Sequence, residues 1–178
     1  MNRRNFLGLG LGVAAAAAIP TQLSAVDFRA TKPKAWEVIN KFKKGTKGDL
    51  ATDGRAAAIK EIFGMDVDLT KNDSKIKLKT PAIAENGAVV PVSVSTKRAA
   101  TKVAILQNAN PESLVCVFTV PAGQPVEYSV RIKMQQTGDI TVVVEEGGKL
   151  YASTSNTKVT AGGCGGWSNP AITVEIKN

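Results

Sequence analysis

From Lys75 to Ala161 apolar and polar residues alternate with a period of two, the spacing of a strand with one face buried. Ile76 and Leu78 are interleaved with Lys75, Lys77 and Lys79. The runs Ala88–Val94, Val103–Leu106, Leu114–Val120, Val126–Met134, Ile140–Glu145, Lys149–Ser153 and Thr157–Ala161 follow, separated by Gly, Pro and Asn turns. Asn86-Gly87 predicts a tight hairpin into the run that follows it, and Gly147-Gly148 predicts another. Pro91 inside its run points to an edge position or a bulge. Short strands at near-regular spacing predict a mainly β chain, an immunoglobulin-like antiparallel β-sandwich. Upstream the period lengthens. Ala35–Phe42 sets Trp36, Ile39 and Phe42 on one helical face, and Gly54–Phe63 does the same for Ala58, Ile59, Ile62 and Phe63. Thr52-Asp53 would cap the second helix and Gly64 would stop it. Residues 26–70 are therefore expected to form an N-terminal helical segment, and residues 71–161 the sandwich.

The first residues have a different character. Asn2-Arg3-Arg4-Asn5-Phe6-Leu7 is a twin-arginine pattern, followed by an apolar, Gly- and Ala-rich run to Ile19 and a small residue, Ala25, at a cleavage point. That run is shorter than the about 20 residues a membrane span needs. Residues 1–25 thus read as a twin-arginine signal peptide, and the mature chain as a periplasmic protein without a membrane span.

Composition removes several kinds of chemistry. The 178 residues include no His. Imidazole-dependent nucleophile pairs, His-ligated zinc and His-ligated haem are excluded. The 2 Cys, Cys116 and Cys164, stand too far apart for a CxxC redox pair or a haem-attachment motif. The formal charge is +8, yet aromatics are only 5%, and no basic run is interleaved with them. A stacking platform for single-stranded nucleic acid is not expected. The lysines of Lys41–Lys44 and Lys75–Lys79 read as a solvated face, or as steering for a small anion or an acidic partner.

One peptide stands apart. In Gly162-Gly163-Cys164-Gly165-Gly166 four glycines surround a cysteine, so the backbone has little preferred conformation and no flanking side chains. Such an arm suits a thiol that must enter another protein's narrow cleft, with a reach of roughly 10–15 Å from Thr160. Nothing within the pentapeptide would lower a free thiol pKa of about 8.5, so activation is expected from a partner. Two other readings stay open: a Cys116–Cys164 disulfide, as exported proteins with paired cysteines often form, and a glycine turn that merely contains a cysteine. Cys116 itself is expected on the apolar face of its strand with Leu114, Phe118 and Val120, as an inert core residue.

Val159-Thr160-Ala161-Gly162-Gly163-Cys164-Gly165-Gly166 resembles the carboxyl-terminal signature of the SoxY family, the sulfur-carrier subunits of the periplasmic thiosulfate-oxidising Sox system. Ile83–Val92, Arg131–Met134 with Thr137, Gly148–Tyr151, the helix ending Ile62-Phe63-Gly64 and the twin-arginine leader are similar too. The resemblance implies an immunoglobulin-like fold and a heterodimer with a SoxZ-like subunit. It implies that Cys164 is the covalent attachment site for thiosulfate-derived sulfur, with Gly162, Gly163, Gly165 and Gly166 as the flexible arm. The chemistry would belong to partners: a SoxAX-like haem protein that joins thiosulfate to the thiol, a SoxB-like manganese hydrolase that releases sulfate, and, where present, a SoxCD-like dehydrogenase. The carrier would have no catalytic residue, cofactor or metal of its own.

The chain departs from that family's usual form by continuing past the arm. Residues 167–178 contain the alternating run Ile172–Ile176. If that run pairs with a sheet edge, the arm becomes a loop tied at both ends. The competing readings are a structural immunoglobulin-like exported domain with an inert or disulfide-bonded cysteine, and an enzyme such as a sulfurtransferase, which would need a cationic pocket around Cys164.

Overall fold

A computed structural model describes residues 34–43, 50–161 and 173–176. The signal-peptide assignment and the Gly162–Gly166 arm lie outside these residues. The elements in chain order are helix α1 (Lys34–Glu37), strands β1 (Lys41–Phe42) and β2 (Leu50–Thr52), helix α2 (Arg55–Phe63), and strands β3 (Ile76–Lys79), β4 (Ile83–Asn86), β5 (Val90–Thr96), β6 (Lys102–Gln107), β7 (Leu114–Thr119), β8 (Val126–Ile132), β9 (Gly138–Glu146), β10 (Lys149–Ala161) and β11 (Thr173–Ile176). The protein is mainly β, an immunoglobulin-like sandwich with a small helical part. One sheet runs β4-β10-β9-β6-β7, the other β11-β8-β5-β3, and β1 pairs with β2. All pairings are antiparallel except β4 with β10.

The main core lies between the two sheets and holds Val92, Val94, Val103, Ile105, Val130, Ile140, Val142 and Val144. A second apolar layer, with Ala104, Leu106, Leu114, Val143 and Ala152, covers the other face of the five-stranded sheet and packs on Ala35, Ala58 and Ile59 of the helices. The centre of that sheet is therefore buried on both faces. This accounts for the unbroken apolar runs Val103–Leu106 and Val142–Val144, where alternation gives way. The helical segment packs on the sandwich itself.

The second helix forms much as its pattern predicts, ending at Gly64 in the left-handed region, φ 68°. Asp53 Oδ1 accepts from the Arg55 N–H at 3.0 Å, although Gly54 holds the N-cap position. Buried Arg55 fastens the helix to the sheet through Asp53 (2.6 Å), Asp139 (3.2 Å) and the Thr141 hydroxyl (2.8 Å).

The first helix is a correction. It stops at Glu37, and Ile39, half exposed, bridges Glu112. The cause is Asn40, buried and fully engaged. Its Nδ2 donates to the carbonyls of Gln107 (3.0 Å) and Asn110 (2.8 Å), its Oδ1 accepts from the Gly54 N–H (2.7 Å), and its own N–H donates to Pro111 (2.6 Å). A helix through Phe42 would break all four bonds, so tertiary bonding overrides a weak local pattern.

Asn86-Gly87 does not close a hairpin. Strand β4 pairs with β10 in one sheet and β5 with β8 and β3 in the other, so the turn is a corner between sheets. Gly87 lacks the positive φ a two-residue hairpin of that type requires, whereas Gly147 (φ 57°) and Gly148 (φ 73°) have it and join β9 to β10 as expected. Pro91 faces Arg131 of β8 and lies beyond the end of β3, so it interrupts no β3 pairing.

The two runs Lys149–Ser153 and Thr157–Ala161 are one strand. Its polar middle is absorbed by neighbours: Thr154 N–H donates to Asn72 Oδ1 (2.7 Å), the Ser155 and Thr80 hydroxyls meet at 2.8 Å, and Asn156 Nδ2 donates to Asp139 (2.8 Å). Thr157 is the exception, because its buried hydroxyl has no hydrogen-bond partner among the described residues. Thr157→Val removes that unmet group at constant shape. It is expected to stabilise the fold by about 1 kcal/mol in urea denaturation; a loss of stability would show that the hydroxyl is bonded.

Arg98 closes the hairpin end of the sandwich. Its guanidinium bonds Asp73 and Glu146 at 2.6 Å each and lies 3.3 Å over the Tyr151 ring. The Arg98 bonds hold the Asp73 carboxyl below its ordinary value, and the Ala99 N–H followed by Arg98 does the same for Glu146. Carboxylates depressed in the folded state contribute stability above their ordinary range near about 4, and that contribution is lost as pH falls through the folded values. The wild type should therefore lose stability more steeply below about pH 4 than Arg98→Met, as read by denaturation midpoints across pH. Parallel curves would contradict this account.

Candidate functional site

The two cysteines have separate fates. Cys116 is a free, buried cysteine of the main core. Removal from water pushes its thiol up to about 12, so almost no thiolate exists near neutrality. Its placement needs one correction. Ile105 pairs with Cys116 and Leu106 with Leu114, so Val115 is the extra residue of a bulge. Leu114 consequently joins the layer under the helices, while Cys116 stays in the main core with Val120 and beside Phe118.

Cys164 and Gly162, Gly163, Gly165 and Gly166 lie outside the described residues. The strands on either side of them are described. On the amino side β10 is held at its end by β4: Lys158 N–H donates to the Ala82 carbonyl (2.9 Å), Ala161 pairs with Asn86, and Val159 N–H donates to the Thr137 hydroxyl (3.0 Å). On the carboxyl side β11 lies along the edge of β8, with Thr173 opposite Arg131 and Ile176 opposite Tyr128. The alternating run after the arm thus adds a strand to a sheet edge. Ala161 and Thr173, the described residues on either side of 162–172, belong to strands of different sheets.

Both fastenings lie at one end of the sandwich. The Gly87 carbonyl, next to Asn86, accepts from Met134 N–H at 2.7 Å, just beyond β8. Asn110 reinforces the same stretch, its Nδ2 donating to the Lys133 carbonyl (2.6 Å) and its Oδ1 accepting from Gln135 N–H (2.9 Å). Asn40, Gln107 and Asn110 therefore link the N-terminal segment to the end of the sandwich where β8 and β10 finish. Periodicity did not signal these residues, because their role depends on which strands meet.

Among the described residues no group of His, Cys, Asp and Glu could hold a metal ion, and no helix is long and apolar enough to cross a membrane. Two shallow cavities, of about 90 and 20 Å³, lie on the β3-β5-β8 face and beside Gln107 and Asn110.

Comparison with known proteins bears on the same region. No curated protein matches the chain. Among solved structures, the sulfur carrier protein SoxY from Chlorobium limicola f thiosulfatophilum is similar at 40% identity and a TM-score of 0.53, covering 58% of this chain and 94% of that one. A superoxide reductase (neelaredoxin) from Ignicoccus hospitalis matches at 14% identity and a TM-score of 0.40, over 48% of this chain and 80% of that one. Residues 59–164 match the family described as Sulfur oxidation protein SoxY, a match that spans more than half of the chain and ends on Cys164. The chain belongs to the SoxY family.

Proposed function

We propose that this protein is a periplasmic sulfur carrier that holds thiosulfate-derived intermediates on Cys164 and presents them to partner enzymes. The observation that carries the reading is the division between the cysteines. Cys116 is buried with its thiol near 12, which leaves Cys164, at the end of the family match, as the reactive one. The SoxY relative is itself named a sulfur carrier protein. Gly162, Gly163, Gly165 and Gly166 form the arm, and the twin-arginine leader directs export.

The chemistry balances with reagents from partners. The Cys164 thiolate and thiosulfate join through a new S–S bond as two electrons pass to a SoxAX-like haem protein, giving a cysteine S-thiosulfonate. Water then attacks the terminal sulfur in a SoxB-like hydrolase. Sulfate and two protons leave, and a persulfide remains on Cys164. A SoxCD-like dehydrogenase, where present, oxidises that sulfane. The carrier contributes a nucleophile and an arm, and no catalytic group. A SoxZ-like subunit completes a heterodimer; exposed Ile83 and Val89, flanking the Asn86 corner, offer apolar surface beside the arm's mount.

Mass spectrometry of the protein isolated from thiosulfate-fed cells tests this reading. Additions of sulfane sulfur and of thiosulfonate, released by a thiol reductant, are expected on the peptide containing Cys164. Additions on the Cys116 peptide instead, or a Cys116–Cys164 disulfide, would overturn it.

A further inference from the structure

The outer face of the four-stranded sheet carries a hollow that the carrier chemistry does not use. The register sets Lys79, Ser93 and Ser129 side by side in one row, and Lys77, Ser95 and Glu127 in the next. These residues line the cavity of about 90 Å³. Its floor is unusual for the middle of a sheet, where β-branched and aromatic residues fit best. Three serines occupy the positions, and their small side chains create the space.

The hollow is rich in donors. The Ser93 and Ser129 hydroxyls meet at 3.1 Å, and two hydroxyls joined by one hydrogen keep the other hydrogen to donate outward. Among the described residues neither Lys77 nor Lys79 lies within ion-pair distance of a carboxylate. The lining acid, Glu127, is on β8, two strands from the lysines, and Glu175 of β11 pairs in register with Ser129. The positive end therefore lies over β3, next to the serines of β5. A ligand there must accept hydrogen bonds and carry negative charge. It must also be small, since sites for organic cofactors run to about 300 Å³ or more. Ammonium groups act as point charges and suit a compact anion.

We propose that this hollow binds a tetrahedral divalent oxyanion of the sulfate class, with Lys77, Lys79, Ser93 and Ser95 donating to its oxygens. The site is independent of Cys164. The test uses Cys164→Ser protein, so that no covalent adduct contributes and the carrier reading is not at stake. Sodium sulfate and sodium thiosulfate are titrated at constant ionic strength while amide NMR shifts are followed. Saturating shifts at Lys79, Ser93 and Ser95 are expected with either anion. Affinity should drop about tenfold for each of Lys77→Gln and Lys79→Gln, and stay unchanged in the control Lys149→Gln. Retained spectral dispersion shows that the variants fold. Shifts that never saturate, that chloride reproduces, or that survive both lysine changes would overturn the proposal. Equal saturation by acetate would overturn it too, because it would mark a surface for a partner's carboxylates.

Discussion

Replacing Cys164 by serine is expected to abolish fast thiol labelling of the native protein, while Cys116→Ser leaves that labelling intact. Alkylation proceeds through the thiolate. A free cysteine with a pKa of about 8.5 is about one-tenth ionised at about pH 7.5. Cys116, pushed up to about 12, is ionised about three thousandfold less before access through the core is counted. Iodoacetamide labelling of native protein, read by mass, should therefore show one fast site. Unfolding in urea should expose the second at a comparable rate. Thiosulfate-dependent adducts should follow the fast site and vanish completely in Cys164→Ser. If fast labelling persists in that variant and disappears in Cys116→Ser, the two sulfurs have been assigned the wrong way round.

The second large effect is on stability. Asn40→Ala leaves the carbonyls of Gln107 and Asn110 and the N–H of Gly54 without the partners they have in the folded protein. Unmet buried groups cost about 1–3 kcal/mol each, and relaxation recovers part of that. The expected loss is about 3 kcal/mol, or a fall in Tm of roughly 6–12 °C. Asn40→Asp should do at least as much damage, because it keeps the acceptor for Gly54 but turns a charge toward two carbonyls. Calorimetry of the three proteins decides the matter. A change under about 1 kcal/mol in both variants would show that Asn40 is not what ends the first helix.

That residue also shows where sequence reading stops. The strands and the second helix were legible because burial on one face imprints a period, and because Gly64, Gly147 and Gly148 mark stops that need positive φ. Asn40 was not, since its four partners, from Gly54 to Pro111, lie far along the chain and leave no local trace. Asn86-Gly87 carried a real turn signal, but the signal does not say which sheet receives the next strand. The polar stretch Thr154–Asn156 reads as a break because the groups that satisfy it are distant in sequence. The glycines on both sides of Cys164 are legible in the sequence itself, whereas the burial of Cys116 is visible only once the strands are placed.

On the carrier reading proposed above, the strand that follows Cys164 constrains any enzyme that receives it. β10 belongs to one sheet and β11 to the other, so Cys164 stands in the sequence between two paired strands. If Cys164 carries sulfur as proposed, an enzyme that closes over it must admit two passes of backbone rather than one. Neighbouring backbones cannot approach much closer than about 4.8 Å. Its aperture must therefore be a slot, open along one side, where a bare chain end would need only a bore.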